Sequence, residues 1–347
     1  MKKIIIIIGS ILISIFIVFM IVIWSVFGTE FMAAKSIIEL EDGLYFMEYT
    51  GDYGFDGFLA QGGADSDAKM AEYVTMFLSK GFLKSETSET EKNFGCSTLV
   101  AESGDGSRLM GRNFDWEKCN SMIVYTKPEH GYESISTCCL DFLGFGRDWK
   151  PEGMKNQYMA LAAIYVPLDG MNEKGLCVAD LISGDEAEIH QDSEKVDLTI
   201  VSAIRLLLDR AATVDEAVLL LGEYDMNSSI GTSHHLSISD ASGKAVVVEY
   251  IDNEMIVTDA QVVTNHYLSA GEKFGIGNEE SHYRYNILVQ MRQQTDGVME
   301  EDKLRDCMKS VSYDGITQWS ILYNKTNLTI DYYWQREYDL SYHFEIR

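Results

Sequence analysis

The sequence predicts an α+β domain, layered from antiparallel strands and grouped helices, behind an N-terminal transmembrane helix. Three observations predict it: turn-punctuated pairs of β-rich runs from Cys96 to the C-terminus, two helical segments grouped among them, and an apolar run at the start. With 347 residues, 46% of them hydrophobic, the chain can bury a large core, which excludes a mostly disordered protein. Lys and Arg number 28 against 54 Asp and Glu, a formal net charge of −26, and this excludes nucleic acid as a partner.

Ile4 to Gly28 is interrupted only by Gly9, Ser10, Ser14 and Ser25. These 25 residues would rise about 37 Å as a helix, enough to cross a hydrocarbon core of about 30 Å with some tilt. Lys2 and Lys3 precede the run and an acidic region follows, which orients the rest of the chain to the extracytoplasmic side of a cell membrane. Residues 1–29 are therefore read as an anchor. A secretory signal is the alternative, with Ala33-Ala34 its cleavage candidate.

Residues 30–95 form a separate stretch. Met70, Val74, Phe77, Leu78 and Phe82 recur at helical spacing after a possible Ser66 cap, so one amphipathic helix is expected to dock there. Lys84 to Asn93 is almost purely polar and reads as an exposed loop ending at Gly95-Cys96.

From Cys96 the strand signals follow in order. Thr98 to Glu102 and Arg108 to Phe114 flank Gly104-Asp105-Gly106, a hairpin signal. Met159 to Val166 and Leu176 to Ile182 read as strands around Asp169-Gly170 and Asn172 to Gly175. His235 to Ser239, Ala245 to Tyr250, Met255 to Thr258 and Gln261 to Thr264 continue the pattern. Gln318 to Leu322, Leu328 to Tyr333 and Leu340 to Ile346 close it. Leu198 to Ala211 reads as a helix, and Thr213 with Glu216 forms a capping box for a second.

The six cysteines show no CxxC pair, so neither a disulfide framework nor a zinc site is indicated. The serine-elbow, zincin, P-loop and dinucleotide motifs are absent. His234-His235 would point to opposite faces of a strand and cannot easily share a metal. No cofactor is expected. The informative stretch is Gly95-Cys96-Ser97-Thr98 with Gly111-Arg112-Asn113-Phe114-Asp115-Trp116. A hairpin at Asp105-Gly106 returns Arg112 and Asp115 to the Cys96 end of the ribbon, and a guanidinium beside a thiol favours the thiolate.

Arg112 and Asp115, 16 and 19 residues beyond Cys96, give a pattern that resembles the choloylglycine hydrolase family of N-terminal-nucleophile (Ntn) cysteine hydrolases. Bile salt hydrolase and penicillin V acylase are members; acid ceramidase and isopenicillin N acyltransferase are relatives. Asp169-Gly170-Met171-Asn172-Glu173-Lys174-Gly175, Val263-Thr264-Asn265, Ser281-His282-Tyr283-Arg284 and Trp319 to Asn324 extend the resemblance in order. It implies a four-layer αββα fold over residues 96–347 and hydrolysis of linear amides in small N-acyl compounds. It also implies roles. Cys96 becomes the N-terminal nucleophile after cleavage at Gly95-Cys96, and residues 30–95 are a propeptide or small subunit. Asp115 holds the freed α-amine, Arg112 stabilises the thiolate, Asn265 donates to the oxyanion and Arg284 closes the polar network. One departure concerns the strand after Asn172-Glu173-Lys174-Gly175, where bile salt hydrolases carry an Asn and this chain has Ile182, so a backbone N–H or another side chain would supply the second oxyanion donor, with Asn172 a candidate. Acyl transfer to an amine and a non-catalytic tethered relative are the competing readings. The oligomeric state is open.

Overall fold

The structure is a computed structural model describing residues 2–81, 95–146 and 148–347, so the expected polar loop, with Phe82, lies outside the described residues. In chain order the elements are α1 (Lys2–Ser36), β1 (Ile38–Glu41), β2 (Leu44–Thr50), α2 (Phe55–Ala60) and α3 (Asp67–Leu78). Then come β3 (Gly95–Glu102), β4 (Arg108–Asp115), β5 (Ser121–Lys127), β6 (Ser134–Cys139), α4 (Gly153–Met159), β7 (Asp169–Asn172) and β8 (Cys177–Ile182). The middle holds β9 (Val196–Thr199), α5 (Ile200–Arg210), α6 (Val214–Leu221), β10 (Tyr224–Asn227), β11 (His234–Ser239), β12 (Ala245–Ile251), β13 (Glu254–Asp259) and β14 (Val262–Val263). Last are α7 (Glu279–Gln293), α8 (Glu301–Ser310), β15 (Thr317–Asn324), β16 (Thr329–Trp334) and β17 (Tyr342–Glu345).

Two sheets lie face to face. One runs β1-β2-β5-β6-β7-β8-β11-β12-β13 and the other β14-β3-β4-β15-β16-β17. Alternation along each strand sends one set of side chains between the sheets, where Thr98 meets Ser237 at 2.9 Å and Trp319 Nε1 donates to Asp169 at 2.9 Å. The outer faces are apolar too and take helices. α5 covers β7 and β8, while α7 and α8 cover β3, β4 and β15 through Leu288, Leu304 and Met308. The order is helix, sheet, sheet, helix.

The expected hairpin forms β3 and β4, its turn closed by Asp105 accepting from the Ser107 N–H at 2.9 Å. α5 starts with a capping box between Thr199 and Ser202. At α6, Thr213 Oγ1 accepts from the Glu216 N–H at 3.2 Å, but Glu216 returns to the Ala212 N–H at 2.7 Å, one residue earlier than a capping box requires.

Three expectations need correction. Met159 to Val166 is no strand: it is the end of α4 and a 3₁₀ stretch, Ala160–Tyr165, whose Ala-rich apolar run is buried as helix. β14 does not continue the sheet of β13; the chain crosses there to pair with β3, Val263 opposite Thr98. The stretch before Cys96 contributes more than a helix. α3 is present, with Met70, Val74 and Leu78 buried, but β1 and β2 also join the nine-stranded sheet, and β2 lies parallel to β5 from Leu44 opposite Ser121 to Thr50 opposite Lys127.

α1 is the one helix among the described residues long and apolar enough to cross a membrane, and Ile7 to Val26 are almost all exposed. It does not stop at residue 29. Its last turns bury Glu30, Ala33 and Ala34 against the body, and Glu30 pairs with Lys80. The Ala33-Ala34 bond therefore sits inside a packed helix.

Candidate active site

Cys96 heads β3 opposite Phe114, with Thr98 opposite Arg112 and Gly95 opposite Asp115. The register puts Cys96 and Arg112 diagonally on the inner face, within reach of a long side chain. The Cys96 thiol is buried and pushed up by that burial; the Arg112 guanidinium and the Asp115 backbone N–H pull it the other way. Arg112 is also buried. Its Nη2 donates to the Asp180 carbonyl at 2.8 Å, another N–H donates to Asn113 O, and Nε lies 3.4 Å from Asp169 Oδ2. Burial works against its charge, but the facing Cys96 and Asp169 outweigh it and hold its pKa above the ordinary guanidinium value. Phe114 stacks on Trp319 at 4.0 Å between ring centroids, a rigid floor beneath Arg112.

β14 delivers Asn265 to the other side of Cys96. Its Oδ1 accepts from the Cys96 N–H at 2.5 Å and from Arg284 Nη2 at 2.9 Å, and its Nδ2 donates to the Ile182 carbonyl at 2.7 Å. Arg284 comes from the second turn of α7, a helix capped by Asn278 accepting from the Ser281 N–H at 2.7 Å. It donates through Nη1 to the Cys96 carbonyl and lies 3.6 Å from Asp115 Oδ2.

Asp115 receives the Thr317 hydroxyl on Oδ1 at 2.6 Å, while its buried Oδ2 has no hydrogen-bond partner. Burial raises its pKa against the pull of Arg284, Thr317 and Arg112. Gly95 fills the space in front of that oxygen. A Cβ there would stand 3.1 Å from Asp115 Oδ2 and 3.3 Å from Arg284 Nη2, so the position has little room for a side chain. A cavity of about 1290 Å³ opens on this spot, lined by Gly95, Asp115, Trp116, Glu280, Arg284 and Tyr313 among others.

The structure thus brings together Cys96, Arg112, Asp115, Asn265 and Arg284. Asn172 is a correction. It lies away from them, its Nδ2 donating to Leu208 O and Ala211 O at 3.0 and 2.8 Å and its Oδ1 accepting from the Lys174 and Leu176 N–H groups. It ties the turn to the end of α5 and has no hydrogen left for an oxyanion. His234 and His235 turn apart to Asp180 and Glu249. Sequence reasoning missed Asp169 and Thr317 as supports. Asp169 had a signal, a carboxylate in an apolar pattern; Thr317 had none.

A buried cysteine heading an inner strand, ringed by two guanidiniums, a carboxylate and an amide inside an αββα body, defines a thiol-centred class of this architecture. Residues 96–268 match the family described as linear amide C-N hydrolases, choloylglycine hydrolase family, the match beginning at Cys96 itself. This part of the chain belongs to that family. Penicillin V acylase of Pectobacterium atrosepticum is 33% identical over 111 residues, covering 28% of this chain and only 29% of that one. Among solved structures, the conjugated bile acid hydrolase of Clostridium perfringens is similar as a cysteine-to-alanine mutant, with TM-score 0.55, 17% identity and coverage of 72% of this chain and 92% of that one. An arginine-to-leucine variant of it gives TM-score 0.53 at the same identity and coverage. At that identity the likeness is one of fold.

Proposed function

We propose that this protein hydrolyses linear amide bonds in small N-acyl compounds through Cys96, made N-terminal by cleavage of Gly95-Cys96, in a body held at a membrane by α1. The observation that carries the reading is the convergence of four side chains on Cys96: Arg112 faces its thiol, Asn265 takes its N–H, and Arg284 donates to its carbonyl and pairs with Asp115 opposite Gly95.

In the first step the Cys96 thiol adds to the Gly95 carbonyl carbon, the C–N bond breaks and the thiol proton goes to the departing Cys96 nitrogen. This gives a thioester and a free α-amine. Water then splits the thioester into the Gly95 carboxylate and the thiol. The new α-amino group finds a carboxylate oxygen without a hydrogen-bond partner, Asp115 Oδ2, on the Gly95 side of the strand. In the second reaction the α-amine takes the thiol proton, sulfur attacks the substrate carbonyl, and the amine leaves with that proton. Water releases the acid. Arg112 holds the thiolate, and Asn265 faces the reacting carbonyl. Donors at an oxyanion are worth roughly 2.7–4 kcal/mol each.

Intact-mass analysis of active protein tests the reading. The expected result is a break between Gly95 and Cys96, absent in Cys96→Ala; active protein with an unbroken chain would overturn the mechanism.

A further inference from the structure

The last two turns of α1 and the second half of β2 lie side by side in opposite directions. Ser36 Oγ meets the backbone N–H and C=O of Glu48 at 2.9 Å, and seven residues earlier Thr29 lies against Gly51, its Cγ2 3.1 Å from where a Cβ would stand. Seven helical residues rise about 10.5 Å and three strand residues about 10 Å, so the two contacts keep step. Gly51 therefore marks the end of β2 nearest the apolar run of α1. The opposite end is the Asp42-Gly43 turn, eight residues back and about 26 Å farther away. That turn lines the site cavity, and β5, parallel to β2, brings Cys119 and Asn120 to the same end. No linker blurs this geometry: the run of all-round exposure along α1 ends at Val26, and from Glu30 one face of the helix, with Ala33 and Ala34, is buried against the body while Thr29, Met32 and Lys35 stay exposed.

We propose that α1 holds the body with the site cavity turned away from the membrane, about 26 Å above it, so that the site takes amides dissolved in water and not amides held in the bilayer. This rests on reading α1 as a membrane span and the chain as an amide hydrolase. A site that drew its substrate from lipid would need its cavity at the Gly51 end of β2.

The full chain in phosphatidylcholine nanodiscs tests both parts. A fluorescent non-natural residue replaces either Asp52 or Asp42, exposed positions at opposite ends of β2, and a quencher is carried on the lipid headgroups. Strong quenching at Asp52 with little at Asp42 is expected; equal quenching at the two overturns the orientation. The second measurement compares a short-chain N-acyl amide with the longest-chain one that the protein turns over in detergent micelles. The short amide should react within twofold of its micellar rate in nanodiscs, and the long one at least tenfold more slowly when held in the disc. A disc-held amide hydrolysed as fast as in micelles overturns the substrate class. Turnover of neither in micelles removes the hydrolase reading and the substrate class with it, while the quenching pattern still decides the orientation.

Discussion

The backbone N–H of Cys96 donates to Oδ1 of Asn265 at 2.5 Å, joining residues 169 positions apart. The amide nitrogen of Asn265 is already given to Ile182 O at 2.7 Å, so with the Gly95-Cys96 bond intact Asn265 meets Cys96 as an acceptor. An oxyanion role asks its Nδ2 to turn to substrate. We predict that Asn265→Asp, which keeps the acceptor and removes the donor, still cleaves at Gly95-Cys96 but loses on the order of 10²–10³ in kcat. Asn265→Ala should lose both. Single-turnover rates beside gel analysis of processing check this, and an Asp variant with full turnover would strip Asn265 of the donor role.

Gly95 is the tightest point of the same arrangement. A Cβ at 3.1 Å from Asp115 Oδ2 and 3.3 Å from Arg284 Nη2 must push apart two side chains that are themselves buried. We predict that Gly95→Val slows cleavage at least tenfold, with Gly95→Ala between it and the native chain. Once cleavage is complete the residue has left the nucleophile, so kcat of processed Gly95→Ala should equal the native value. A lower value would mean that Gly95 remains part of the working site.

Asp169 faces Arg112 at 3.4 Å and is fixed by Trp319 and by Tyr323, whose hydroxyl donates at 3.1 Å. Burial pushes the Cys96 thiol up, and Arg112 is the charge that opposes this, so cleavage that begins from a thiolate should quicken as pH rises from neutral into the alkaline range. We predict that Arg112→Gln moves this rise to higher pH. Asp169→Asn keeps the shape and removes the carboxylate that shares Arg112 with the thiol, so it should move the rise the other way, to lower pH. Identical processing profiles in all three proteins would deny Arg112 any hold on the thiol.

How far the sequence discloses this site follows from which contacts are local. The β3–β4 hairpin is short-range, and its turn residues alone bring Arg112 and Asp115 back to Cys96. Asn265 and Arg284 needed the family resemblance, because a crossing between sheets and a helix packed from outside carry no periodic signal. α7 buries only Ser281, Arg284 and Leu288, which left its amphipathic face too thin to read. β1 and β2 had a local signal, the Asp42-Gly43 hairpin turn, that sequence reasoning missed; the pairing of β2 with β5 was hidden because it is parallel and crosses 77 residues of chain, from Leu44 to Ser121. Asn172 misled as a candidate donor because a motif shared with the family says nothing of where its amide points.

Glu249 gives a stability test away from the chemistry. Burial alone would raise its pKa, but His235 at 3.0 Å and the N–H groups of Leu268 and Ser269 at 2.9 and 2.7 Å bring it down to about 2. A folded pKa below the unfolded value means stability present above about pH 4.5 and lost as pH falls toward 2; the gap corresponds to about 3 kcal/mol. We predict that Glu249→Gln is less stable at pH 7 and loses less on acidification, so the two proteins converge near pH 2. Parallel melting curves from pH 7 to 2 would remove Glu249 from the acid response.

The two pieces left by cleavage should stay together. β2 is an inner strand, flanked by β1 and by β5, and the piece before Cys96 also buries Leu44, Met47, Tyr49, Phe55 and Phe58. At roughly 1.5–3 kcal/mol per large apolar side chain, burial alone opposes separation by on the order of 10 kcal/mol, before any contribution from the parallel ladder. We predict that the processed fragments co-elute in native size-exclusion chromatography at micromolar concentration, and separate only in denaturant. Membrane attachment of the catalytic piece would then depend on sheet pairing in place of a peptide bond. Met47→Asp on β2 puts a charge into that interface and should release the catalytic piece from membranes after cleavage. Fragments that part without denaturant in the unsubstituted protein would make the stretch before Cys96 a disposable leader, and α1 could not then hold the processed site in place.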